Sequence, residues 1–144
     1  MSREYPEQPL IGLGAIVWKE GRVLMVKRGR PPGEGVWSLP GGLQQVGETV
    51  AEGVRREIAE ETGVEIELLG LVEVVDSVRR DAAGQVQYHF TIIDYAARWL
   101  AGEAVAGDDA ADVAWVAPED IGGLDTWAET ARVIEKSRDW LNRP

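Results

Sequence analysis

The chain has 144 residues, 44% of them hydrophobic and 28% charged, which suits one globular domain with a buried core and argues against disorder. Its formal net charge of −10 suits neither a nucleic-acid polymer, whose binding runs on clustered Lys and Arg, nor an anionic membrane surface. The absence of cysteine excludes disulfides, thiolate catalysis and cysteine zinc sites, whereas a small phosphorylated substrate stays open, because a bound metal adds local positive charge that a net figure does not show.

Residues 1–9 hold two prolines and three charges and read as a loose arm. This start has no signal-peptide core, and the apolar run 10–18 is too short to span a bilayer, so the expectation is a cytoplasmic protein. Residues 10–18 and 23–28 read as a β-hairpin, and the Gly/Pro-rich stretch 29–35 as a loop. A short strand over 36–39 leads to a sharp bend at 40–42, and a helix follows over 50–62. Segments 64–69, 71–78 and 85–98 are strand-like, with a turn at 79–84. A small, acidic loop spans 102–112, then a short strand 113–116 and a single turn 118–121 begun by proline. A closing helix over 126–141 puts Trp127, Ala131, Ile134 and Leu141 on one side. With no repeat and no linker, residues 1–144 form one α/β domain, an α/β/α sandwich on a mixed β-sheet.

The 50–62 helix is the informative element. Thr49 with Glu52 makes a capping box, and Gly63 can turn left-handed to end the helix. Val50, Ala51, Val54, Ile58 and Thr62 form an apolar stripe that should face the sheet. The adjoining face carries Gly53, Arg56, Glu57, Glu60 and Glu61, and it makes a poor solvated surface. Glu57 and Glu61 are like charges one turn apart, repelling by roughly 0.2–0.5 kcal/mol on a bare helix. Glu60 and Glu61 lie in the last turn, where the helix dipole prefers cations. Gly53 in mid-helix costs about 0.5–1 kcal/mol relative to alanine. A divalent cation held by the carboxylates would remove the repulsion, and Gly53 would let another backbone or a ligand come close. The plain alternative is a solvated acidic face.

Gly42, Glu48, Arg56, Glu57, Ile58, Glu60, Glu61, Gly63 and Val64 have the spacing of a known signature. The stretch resembles the box of the Nudix hydrolases with no position missing, a match whose chance odds are on the order of one in a million or less. The lead-in from Trp37 to Gly42 also looks like that family's. The resemblance implies a Nudix fold and hydrolysis of a diphosphate bond, with Arg56, Glu48, Glu57, Glu60 and Glu61 as the catalytic set. An all-carboxylate site selects hard cations, Mg²⁺ or Mn²⁺. Glu57 and Glu61 are the core ligand candidates, Glu60 and Glu48 contribute directly or through water, and the Gly41 carbonyl joins by family analogy. Arg56, four residues before Glu60, orients a carboxylate.

The general base is either a box glutamate or a loop carboxylate, Asp108, Asp109 or Asp112; those three also read as a simple acidic turn. Many relatives carry Glu where this chain has Gln45, so an auxiliary ligand is lost there. The substrate-binding candidates are Arg28, Trp37 and Asp109: Arg28 holds a phosphate or is a surface arginine, and Trp37 stacks on a base or packs. Arg79 and Arg80 read as solvated, and His89 as structural, with Tyr88 and Phe90 facing the other way. The proline found ~15 residues past the box in the ADP-ribose branch is absent here. The general run of the chain still looks like the small bacterial-type enzymes described as ADP-ribose pyrophosphatases. The resemblance therefore favours a nucleoside diphosphate linked to another moiety as the small phosphorylated nucleotide substrate. The alternatives are a nucleoside triphosphate, including oxidised ones, and a non-catalytic nucleotide-sensing module. Family members are commonly homodimers.

Overall fold

The computed structural model describes residues 3–31, 33–107 and 109–143. Strand β1 (Leu10–Lys19) is apolar on both faces because both are covered. Side chains alternate along a strand, so Leu13, Ala15 and Val17 enter one core while Ile16 and Trp18 enter the other. One edge of β1 pairs in parallel with β6 (Val86–Ala101), from Leu10↔Phe90 to Trp18↔Arg98. The other edge is shared. β4 (Gly41–Leu43) takes its start, from Gly12↔Leu43 to Gly14↔Gly41, and β2 (Arg22–Arg28) takes its end through Trp18↔Val23. β2 then pairs with β3 (Trp37–Ser38) and β7 (Ala110–Val116), while β5 (Glu65–Arg80) lies antiparallel to β6 at the far edge. One mixed seven-stranded sheet results.

Helix α1 (Val50–Thr62) covers one face with the expected bounds and with both ends formed as expected. Glu52 N–H donates to Thr49 Oγ1 at 3.1 Å, Thr49 N–H donates to Glu52 Oε1 at 3.0 Å, and Gly63 closes the helix at φ 74°. Val54 and Ile58 pack on Leu13, Leu24 and Ala97. Helix α2 (Ala128–Leu141) and the 3₁₀ helix Pro118–Gly123 cover the other face, giving the α/β/α sandwich.

Four details differ from the sequence reading. The inward face of α2 is Thr130, Val133, Ile134 and Ser137; Ala131 is exposed and Trp127 precedes the helix. That register is set by Ser137, whose Oγ accepts from the buried Trp18 Nε1 at 2.9 Å. The two strands expected on either side of Gly70 are one, because bulges carry β5 through this position and an added side chain there would overlap the Trp140 ring. β4 replaces the expected bend. Residues 3–9, expected to be a loose arm, are tied down: Tyr5 N–H donates to Gln87 O at 2.7 Å and its hydroxyl to Asp81 Oδ2 at 2.9 Å. No helix of the described residues is long and apolar enough to cross a membrane.

Candidate active site

The site lies where β4 hands the chain to α1. Arg56 organises it. Its Nε and NH2 donate to the two oxygens of Glu48 at 2.8 and 2.6 Å, a bidentate fork. NH2 also donates to Leu43 O at 2.9 Å, and NH1 donates to Glu57 Oε1 at 2.6 Å and Glu60 Oε2 at 3.1 Å. The Arg56 fork, helped by the Gln45 N–H at 2.8 Å, holds the Glu48 carboxyl at a pKa of about 2. The same bonds raise the guanidinium's pKa.

On the other side of Glu57 a cavity of about 280 Å³ opens, lined by Glu57, Glu60, Glu61 and Asp109. Glu61 carries its electrostatic strain. Burial first, then the charges of Glu57 and Asp109, push its pKa up to about 7, against the opposing Gly41 N–H at 3.3 Å and Arg28. Asp109 is placed by the loop after β6. Val105 N–H donates to Thr62 O at 2.9 Å and Gly107 N–H to Glu61 O at 2.7 Å, which ties the loop to the end of α1. Gly29 N–H donates to Asp109 O at 3.2 Å, and Arg30 pairs with Asp109 Oδ1 at 3.0 Å.

Glycine makes room at two points. A Cβ on Gly42 would overlap the Glu57 carboxyl group, so β4 can pass this close only without a side chain. A Cβ on Gly53 would stand 2.5 Å from Leu13 Cδ1 and 2.8 Å from Glu48 Oε1. The group that comes close at Gly53 is thus Leu13 and Glu48, not the second backbone or ligand expected from sequence.

Among the described residues no three acids already converge into a metal cage. Arg56 holds Glu57 and Glu60 by one oxygen each. The fit to a hard divalent cation rests instead on the donor set, four carboxylates on one cavity. It rests also on Glu61, whose carboxylate charge is made unfavourable first by burial and then by Glu57 and Asp109, so that a cation there would offset that cost.

The structure thus brings together Glu57, Glu60, Glu61 and Asp109, with Arg56 behind them. Glu48 stands outside the lining, clamped on Arg56. Gly41 meets the site through its N–H. Arg28, half-buried at the end of β2, is close enough to feel Glu61, and burial lowers its pKa. Trp37 packs into the core on the α2 side of the sheet. Asp112 pairs in register with Lys27 and bonds the Val113 N–H at 2.8 Å, outside the cavity lining; Asp108 lies outside the described residues. Sequence reasoning did not connect Trp127 with Arg79. β5 runs on to Arg80, so Arg79 is a strand residue, and its guanidinium lies 5.3 Å from the centre of the Trp127 ring. Period-two alternation continuing past Val78 was the available signal.

The chain thus forms a mixed-sheet α/β/α sandwich with carboxylates gathered at one end of a central helix, a donor set that suits a hard cation. Comparison with known proteins narrows this further. A NUDIX domain family model matches residues 9–137. An ADP-ribose pyrophosphatase of Methanocaldococcus jannaschii is 35% identical over 135 residues, 93% of this chain and 76% of that protein. A Mycobacterium tuberculosis protein provisionally named 8-oxo-dGTP diphosphatase 2 is 36% identical over 145 aligned positions, 93% of this chain and 96% of that one. The crystal structure of a MutT NUDIX hydrolase from Burkholderia pseudomallei superimposes with a TM-score of 0.79 at 34% identity, covering 90% of this chain and 98% of that one. The chain belongs to the NUDIX domain family and is a Nudix hydrolase.

Proposed function

We propose that this hydrolase cleaves the diphosphate bond of a nucleoside diphosphate joined to another moiety, with ADP-ribose as the reference compound and Mg²⁺ or Mn²⁺ as the cation. Water adds across the anhydride. One phosphorus gains the water oxygen, the other leaves with the bridging oxygen, and the products are a nucleoside monophosphate and a second phosphorylated fragment. The observation that carries the reading is the cavity walled by Glu57, Glu60, Glu61 and Asp109. A cation bound there supplies charge to polarise a phosphate oxygen and to acidify a water.

Glu57, Glu60 and Glu61 would hold that cation. Arg56 fixes the orientation of Glu57 and Glu60, and Glu48 holds Arg56 in turn, so Glu48 acts through Arg56. The Gly41 N–H orients Glu61. Asp109 faces the helix carboxylates from the opposite loop and takes the proton of the attacking water. Arg28, next to Glu61, receives a phosphate of the substrate.

The Methanocaldococcus jannaschii relative, named for ADP-ribose, supports this substrate class. The Mycobacterium tuberculosis relative, named for an oxidised nucleoside triphosphate, supports a second reading with the same metals and a different pocket. A magnesium-dependent screen of ADP-ribose, nucleotide sugars, dinucleotides and nucleoside triphosphates, with product identification, separates the two. In the same assay Glu61→Gln should lower turnover by about a hundredfold or more with the fold retained. A loss of less than about tenfold would remove Glu61 from the metal site.

A further inference from the structure

Two strands bring arginines to one aromatic ring beside the carboxylate cavity. Arg28, at the end of β2, has its guanidinium carbon 5.9 Å from the centre of the Trp127 ring, and Arg79, at the end of β5, lies 5.3 Å from it. Gly33 of the 29–35 loop seats the arrangement: its Cβ position is 3.2 Å from Trp127 Cζ2 and 3.6 Å from Arg28 Cδ. Arg79, and Arg3 of the N-terminal arm, both oppose the charge on Arg28.

Such a gathering is costly and out of character in this chain, where 25 acidic residues face 15 basic ones. Arg56, Arg98, Arg132 and Arg138 each lie against a carboxylate. Arg79 instead lies against an indole, which leaves the edge of its guanidinium for an oxyanion. Arg28 also feels the charge of Glu61, part of the cavity wall. A ligand with two linked phosphoryl groups would therefore meet carboxylates at one end and guanidinium groups at the other.

We propose that Arg79 and Arg28, set against Trp127, form an anion subsite for the phosphoryl group of the substrate that is not held at the carboxylate cavity. Arg79 is then a positioning residue for a diphosphate substrate. The proposal rests on the diphosphate reading above, and its test separates the two.

The test measures binding of inorganic pyrophosphate by calorimetry in metal-free protein, alongside steady-state hydrolysis of ADP-ribose. Arg79 is exposed, so Arg79→Ala should keep the fold. It should weaken pyrophosphate binding at least about fivefold and raise KM by a similar factor, with kcat within about twofold. Arg79→Lys should restore part of the loss, because it keeps charge without the fork. Arg143→Ala, which removes a guanidinium from Trp140 at 3.9 Å, should change nothing. Unchanged binding and KM in Arg79→Ala, a fall in kcat alone, or no pyrophosphate binding by the native protein would overturn the subsite. If the native protein hydrolyses no diphosphate compound yet binds pyrophosphate through Arg79, the activity reading falls and the subsite stands.

Discussion

Gly42→Ala should separate the site from the fold. The new Cβ would stand 2.8 Å from Glu57 Oε1 and would overlap Cδ and Oε2, whereas ordinary contact begins at 3.4 Å. The carboxyl group must therefore move by about 1 Å, and a displacement of that size at a reacting centre costs about a hundredfold in rate. Movement is cheap for the fold, because the colliding atoms are the end of a flexible side chain. Alanine at a glycine position with ordinary φ also lowers the entropy of the unfolded chain, worth about 0.4–1 kcal/mol in the other direction. Tm should thus stay within a few degrees of the native value, at roughly 2–4 °C per kcal/mol for a chain this size. Turnover of ADP-ribose should fall about a hundredfold and Mn²⁺ affinity about tenfold or more. Gly41→Ala is the contrast: its Cβ would overlap the Leu13 carbonyl oxygen, which cannot swing away, so β4 should peel from β1 and Tm should drop. Native turnover and native Mn²⁺ affinity in Gly42→Ala would refute the assignment of Glu57 to the metal.

Arg56→Lys replaces a fork by a point charge that cannot hold Glu48, Glu57 and Glu60 together, so turnover should fall at least about tenfold; a variant within twofold of native would show that the carboxylates orient themselves. Ile58→Ala empties a site at 0% exposure under α1 and should cost about 2–5 kcal/mol, read as a lower urea midpoint at unchanged slope. Asp94, 5% exposed on β6, has its pKa raised from 3.8 to about 6 by burial first and then by Glu73. A carboxyl group with a raised folded pKa lends stability that is fully present below the unfolded value and is lost as pH rises through the folded one. Asp94→Asn should therefore match the native protein near pH 4 and exceed it by up to about 3 kcal/mol at pH 8. Parallel pH curves for the two proteins would remove Asp94 as the source.

Helix α1 was readable to the residue because its signals are local: a capping box at Thr49, a left-handed glycine at Gly63 and an apolar stripe between them. The site was readable for the same reason, since Glu57, Glu60 and Glu61 are neighbours on one helix. What depends on distant pairing was not. β4 is three residues with two glycines, strand only because β1 offers it an edge. Trp127 looked like a buried helix residue because its spacing to Ile134 and Leu141 is helical. The inward register was decided elsewhere, by the Trp18–Ser137 bond across 119 residues. Sequence did not show that Asp109 lines the cavity. Its place is set by backbone hydrogen bonds from Val105 and Gly107 to the end of α1, which no side-chain pattern encodes.

The like-charge penalty on α1 has two separate answers in the structure. Arg56 answers half of it, because its five hydrogen bonds reach Glu48, Glu57, Glu60 and Leu43. Glu61 is outside that reach. It is half-buried near Glu57 and Asp109, and the hydrogen bond it accepts from the Gly41 N–H is long at 3.3 Å. If the four acids were only a solvated face, the helix acid that Arg56 does not reach would turn outward; instead Glu61 is half-buried on the cavity, with its pKa pushed to about 7. Carboxylate charge is thus held at a cost at Glu61. A proton or a divalent cation can fill that position, and only the cation can also grip a phosphate, so hydrolysis should require metal and should weaken as the pH falls below about 7, where the proton competes for Glu61.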